Sequence, residues 1–336
     1  MGARHYIGLL VLLALILVAP PVVGNDYYIG ILVFAGLNCL ACIGLSLLMG
    51  YAGQISLGHA AFIGIGAYVS GYLTVKAGVG IWPAMAAGVG VCAAMALIIG
   101  VPALKLKGHY LAMATLGFGE IVYIVAVAAV EITGGPEGIN SIPRLSLTGY
   151  VLKSDTRFFY FTWALVLSGL FFALNLIHSR VGRGLMAVHG SEDAAGSLGV
   201  NTARYKIQVF VLSAIYAGVA GSLYAHYVNY IDPGPFGVTH SVLLVTMVAV
   251  GGIHHIWGAV GGAVFLSLLP ELLSMLSEYF EGTGIAYQSD YDTLVYGAIL
   301  LLVMLFLPEG IAGGLNNLGR KARKLIESRE RAGAEK

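Results

Sequence analysis

Residues 28–49 read YIGILVFAGLNCLACIGLSLLM, a run without a single charge. A helix of that length rises about 33 Å, enough for the hydrocarbon core of a bilayer, which takes about 20 apolar residues to cross. Comparable runs occupy 6–23, 60–78, 81–101, 109–130, 159–177, 206–229, 240–254, 258–276 and 291–308, ten in all. The expected fold is an all-α polytopic membrane protein with about ten transmembrane helices, some short or broken. The 240–254 run is short enough to be a half-helix or a re-entrant segment.

The composition agrees. Of 336 residues 58% are hydrophobic and only 10% charged, where a soluble domain carries about a quarter charged. A net charge of +1 gives no sign of a nucleic-acid partner. The 47 glycines suit close helix packing, with Gly258 and Gly262 forming a GxxxG and Ala217 and Gly221 a small-xxx-small pair. Cys39 and Cys42 have CxxC spacing but lie inside an apolar run, so packing outweighs metal or redox chemistry. The first run is read as a retained span rather than a cleaved leader.

Lysine and arginine set the orientation. With a cytoplasmic N-terminus and ten crossings, 14 of the 18 fall inside: Arg4, Lys105, Lys107, Arg180, Arg183, Arg204, Lys206 and the tail residues from Arg320 to Lys336. Only Lys76, Arg144, Lys153 and Arg157 fall outside. The chain thus divides into a transmembrane region 1–315 and a basic cytoplasmic tail 316–336. An external loop, 131–158, and a cytoplasmic loop, 178–205, are long enough to hold structure of their own.

No GxxxxGK[ST] phosphate loop is present. The nearest approach, GQISLGH at 53–59, has His59 where the lysine must be. No GxSxG elbow or HExxH appears either, and no metal site is expected. The same stretch joins two spans through Gly53, Gln54, Ser56, Gly58 and His59. Irregular backbone at that depth needs cover by protein or a watery cavity. It reads equally as a broken helix along a solute path or as a tight interfacial connection. Glu120 stands mid-run, where an acid either lines a polar cavity, pairs with another span, or is protonated and bonded. Glu271 is expected at an interface, and Asn38 and Asn175 in hydrogen bonds between helices.

In the cytoplasmic loop, SEDAAGSLGVN (191–201) predicts a two-turn helix over 192–198, about 10 Å long. Ser191 is its N-cap, Glu192 and Asp193 suit its first turn, and Gly199 its left-handed end. A helix so short is marginal in water. It either sits in a groove or lies solvated at the interface.

Several stretches resemble the membrane subunits of ATP-binding-cassette importers for branched-chain amino acids, the LivM-type permeases. They are GYAGQISLGHAAFIGIGAY (50–68), LKGHYLAMATLGFGEI (106–121), TGGPEGI (133–139), GRGLMAVHGSEDAAGSLGVNTARYKIQVFVLSAIYAGVAGSLYA (182–225) and VGGIHHIWGAVGGA (250–263). The resemblance implies an ATPase-coupling helix carried by Ser191, Glu192, Asp193, Ala194, Ala195, Gly196 and Gly199. It implies a pathway subunit of a bacterial inner membrane, with both termini cytoplasmic and no cofactor of its own. ATP and Mg would sit on two partner ATPase subunits. A second related permease subunit and a periplasmic solute-binding protein would complete the assembly. Pathway or gate candidates are Gly53, Gln54, Ser56, Gly58, His59, Glu120, His254 and His255.

His254, His255 and Ala259 depart from the family pattern, which tends to Gly and Ser or Thr, then Pro, in this region. That leaves urea, amides and aromatic acids beside branched-chain amino acids as cargo. The rival reading is a secondary transporter coupled to protons or sodium through Glu120.

Overall fold

The computed structural model describes residues 3–281, except 107, 148 and 149, and scattered positions between 297 and 314. Helices dominate: α1 (Ala3–Val23), α2 (Asp26–Ser46), α3 (His59–Val75), α4 (Ile81–Ala103), α5 (His109–Ala128), α6 (Val130–Thr133), α7 (Asp155–His178), α8 (Arg180–Gly190), α9 (Glu192–Ser197), α10 (Thr202–Val228), α11 (Val238–Gly251) and α12 (Ile256–Glu281). The loop after α6 carries a small hairpin, β1 (Ser146–Leu147) with β2 (Tyr150–Val151), paired antiparallel.

Seven helices are long and apolar enough to cross a membrane: α1, α2 with its π-helical extension to Tyr51, α4, α5, α7, α10 and α12. The expected count of ten is therefore not reached among the described residues. Two of the ten runs form shorter apolar helices, α3 with 17 residues and α11 with 14. The tenth run, 291–308, falls largely outside the described residues, as does the tail 316–336.

The core is α2, α3 and α10. Within it, small residues bring backbones together. A side chain at Gly221 of α10 would collide with the Ile63 carbonyl of α3, and one at Gly66 of α3 with Gly218 of α10. Ser222 Oγ donates to the Gly66 carbonyl across the same contact at 3.1 Å. The GxxxG of α12 works likewise, with Gly258 and Gly262 seated against α11. Cys39 and Cys42 are free thiols buried in α2, facing α12 and α11. Asn38 bonds across to Ser267 of α12 at 3.0 Å. Glu271 accepts from Tyr27 at 3.0 Å. Asn175, expected in a bond between helices, is instead exposed on α7.

The helices alternate in direction, so the connections gather on two faces. One holds residues 24–25, 76–80, 129–154 and 229–237, with Glu131, Glu137 and Asp232 balanced by Lys76, Arg144 and Lys153, so that it lacks the cationic excess of the other. Here it is termed the acidic face. The other, the basic face, holds 52–58, 104–108, 179–201 and 252–255, with Lys105, Arg180 and Arg183. Contacts within each face confirm the grouping. Lys76 donates to the Glu131 carbonyl and Trp82 to that of Ser146 on the first, while His189 meets His254 on the second.

Candidate functional site

On the basic face α2 ends in a π-helical turn, Leu47–Tyr51, and the chain then runs without regular structure from Gly53 to Gly58. Gln54, Ser56, Gly58 and His59 are buried, while Gly53 and Ile55 are exposed. Protein thus covers most of the irregular stretch, the cover that broken backbone would need at membrane depth. Several polar groups in and beside it find partners on four helices. Leu57 N–H donates to Thr115 Oγ1 of α5 at 3.0 Å, and Ala60 N–H to Ser241 Oγ of α11 at 3.0 Å. His59 Nε2 lies 3.2 Å from the Ala41 carbonyl of α2, with Nδ1 3.5 Å from Ser213 Oγ of α10. Gly58 packs directly on the backbone of Thr115 and leaves no room for a side chain.

The loop 178–205 holds two helices, one more than the sequence reading placed there. Ser179 caps α8, accepting from Val181 and Gly182. Gly182, Leu185 and Val188 are buried at helical spacing while Arg180 and Arg183 are exposed, the pattern of a helix lying along an interface. Ser191 then caps α9, its hydroxyl accepting from Ala194 N–H at 3.3 Å. The predicted helix 192–198 ends one residue early, with Leu198 as C-cap and Gly199 left-handed at φ +83°. Ala195 is buried; Asp193, Ala194 and Gly196 are exposed, and Leu198 is 84% exposed.

An ion pair ties α9 to the bundle. Glu192 Oε2 lies 2.6 Å from Nζ of Lys206 on the first turns of α10. Lys206 is buried although it is a cation at the end of an apolar span. In the sequence it registered only as a topology charge. Its proximity to Glu192 depends on the tight 198–201 turn, which has no pairwise sequence signal.

The end of α8 reaches the irregular stretch. Gly53 has φ +68°, and a side chain there would collide with the His189 ring. His189 meets His254 edge to face at 5.5 Å between centroids. His254 Nδ1 in turn lies 3.3 Å from the Gly50 carbonyl, and Gly50 packs on the Ile253 carbonyl with no space for a Cβ. The turn 50–53 is therefore clamped between α8 and the α11–α12 turn. A cavity of about 330 Å³ opens beside it, lined by Gly53, Gln54, Gly108, His189, Glu192 and Lys206 among others. Both carboxamide atoms of Gln54 are buried there without a hydrogen-bond partner among the described residues.

The structure thus brings together Gly53, Gln54, Glu192, Asp193 and His254 from two separately predicted groups. His189, Lys206 and Gly50 complete the cluster. His255 is exposed and closes the neighbouring turn through its backbone. Glu120 stands apart, exposed on the side of α5 that faces away from the cluster.

Comparisons with known proteins bear on the same regions. The family profile described as branched-chain amino acid transport system / permease component matches residues 27–304. The high-affinity branched-chain amino acid transport system permease protein LivM of Salmonella typhimurium is 31% identical over 325 residues, covering 90% of this chain and 74% of that protein. The permease protein LivH of Escherichia coli is 34% identical over 137 residues, about two fifths of each chain. An L-arabinose ABC transporter permease protein, AraH of Azospirillum brasilense, is 28% identical over 199 residues, 54% of this chain and 55% of that protein. No solved structure matches. The broken stretch, the clamped turn and the capped short helix all lie inside the matched span, and the chain belongs to the permease-component family of branched-chain amino acid transport systems.

Proposed function

We propose that this chain is the membrane-spanning pathway subunit of an ATP-driven importer for branched-chain or related amino acids in a bacterial inner membrane. The basic face and both termini are cytoplasmic. A periplasmic solute-binding protein docks on the acidic face. ATP and Mg are held by two separate ATPase subunits, and a second, related permease completes the pathway.

The observation that carries this reading is the unbroken series of contacts from α9 to the broken stretch. The exposed side of α9 offers small residues and the Leu198 side chain to a cleft on an ATPase subunit. When the ATPases close, α9 moves with them. Through Glu192–Lys206 that motion reaches α10, and through His189 it reaches Gly53 and the Gly50–Gln54 turn. Closure must favour one facing of the pathway by a few kcal/mol, since a contact equal in both states shifts nothing. Gln54 holds a buried donor and acceptor not engaged by described residues, which movement of the turn would uncover to a polar solute leaving through the cavity.

The test is uptake of labelled leucine into proteoliposomes by this chain alone and with its partner subunits. Uptake is expected only from the full assembly and only with ATP. Accumulation by the chain alone, driven by a proton or sodium gradient and abolished in Glu120→Gln, would replace this reading with ion-coupled transport.

A further inference from the structure

Several spans present exposed surfaces, and those of α1 and α5 differ in kind. On α1 the exposed residues include Ile7, Leu10, Val11, Leu15, Leu17 and Val18, all apolar. That surface suits lipid tails on every side. On α5 the exposed stripe runs through Tyr110, Met113, Glu120 and Ile124, with the partly exposed Gly117 between them. These positions follow spacings of three and four, so they form one seam about 20 Å long. Leu111, Thr115, Phe118, Gly119 and Ala126 are buried on the opposite side, where Thr115 and Gly119 hold the broken stretch.

Glu120 is the twelfth residue of a twenty-residue span. A carboxylate at that depth is costly in hydrocarbon and belongs against protein or water. Gly117, one turn away, has open space beyond its Cα. A small residue at the centre of a seam is what lets a second helix backbone approach closely in a membrane. LivM and LivH are both permease proteins of high-affinity branched-chain amino acid transport systems, and this chain is related to each. A partner built on related sequence is therefore expected to have a comparable bundle.

We propose that the α5 seam Tyr110–Met113–Gly117–Glu120–Ile124 is the surface on which the second permease subunit packs, with Glu120 facing that subunit rather than lipid. The inference rests on the importer reading and adds to it which face closes the pathway. The partner span opposite Glu120 offers a small residue and a hydrogen-bond donor. The seam and the broken stretch then lie on two sides of one helix, so movement of the turn reaches the subunit boundary directly.

The experiment is photo-crosslinking in the intact complex, purified through a tag on an ATPase subunit. Benzoylphenylalanine replaces Met113, Ile124 or, as the control, Leu15 of α1. Adducts with the second permease are expected from Met113 and Ile124 and not from Leu15. Adducts with lipid alone, or with this chain's own 291–308 run, overturn the proposal while leaving the importer reading intact. Failure of any second permease to co-purify overturns both. In parallel, Glu120→Gln should keep the amount of recovered permease pair within about twofold, whereas Glu120→Leu should lower it about tenfold. A lipid-facing Glu120 predicts the opposite order, with Glu120→Leu giving the higher recovery.

Discussion

The two faces of the bundle are held by different kinds of bond. On the acidic face, loop 139–144 is stitched to the end of α10 by backbone bonds reinforced by side chains, among them His226, whose Nδ1 lies 2.8 Å from the Pro143 carbonyl. Ile139 and Ile231 exchange hydrogen bonds at 2.9 and 3.1 Å, and Ile142 N–H donates to the Asn229 carbonyl at 3.1 Å. Asn229 returns a bond to the Ile142 carbonyl at 2.8 Å and accepts from Arg144 at 3.0 Å. On the basic face the corresponding joints are side-chain contacts: one ion pair, a ring against a glycine, and two rings edge to edge. A backbone stitch cannot slide without losing several bonds at about 0.5–1.5 kcal/mol each. Side-chain joints can tilt and re-form. The acidic face is thus built as a fixed platform and the basic face as a linkage, the division of labour that the proposed one-sided drive requires.

The sharpest way to break this contrast is at the linkage itself. Gly53→Val must leave the left-handed region and displace His189, so ATP-driven uptake should fall by about a hundredfold. The permease should still be recovered with its partners; normal uptake would show that the turn is not clamped. Lys206→Met comes next. Removing one partner of a fully buried pair costs about 3–5 kcal/mol, and less here because Glu192 is 27% exposed. Solute moved per ATP should drop about tenfold, and the exchanged pair Glu192→Lys with Lys206→Glu should restore part of it.

The platform should respond differently. Asn229→Ala loses three side-chain bonds and the residue type that tolerates φ +62°. It should destabilise the chain by about 2–4 kcal/mol, read as a lowered Tm, with solute moved per ATP unchanged. A change in that ratio would mean that the two faces are not separable. The smallest effect is expected from Leu198→Ser, which touches little in this chain. Its Tm should not move, since such surface changes stay within about 0.5 kcal/mol. Binding of the ATPase subunit should weaken a few-fold.

Much of the architecture was legible because lipid imposes strong rules. A run such as 28–49 has few alternatives to a span, and Ser191 with Gly199 bracketed α9 to within one residue. The short helices were harder. The run 60–78 read as a slightly longer span than His59–Val75, which starts after Gly58, whereas 240–254 read as short enough for a half-helix and forms Val238–Gly251, which stops at Gly252; backbones meet at both glycines. The hairpin inside 131–158 also left no alternating pattern, being two residues per strand. In the site, Gln54 and His254 were visible as polar residues in apolar surroundings. Their convergence with His189 and Lys206 was not, because it depends on how α8 turns into α9 and α10. Glu120 was noticed for its depth in the span, yet its side of α5 is set by Thr115 and Gly119 packing on the broken stretch.

The most direct measurement of the central claim compares spin-label distances in the complete transporter with and without bound ATP. Labels at the exposed positions Leu198, Ile55 and Glu137 report on α9, the broken stretch and the acidic face. The account predicts that Leu198 and Ile55 keep their separation while both shift relative to Glu137. If Leu198 moves on ATP binding and Ile55 holds its distance to Glu137, α9 does not drive the broken stretch and the account is contradicted.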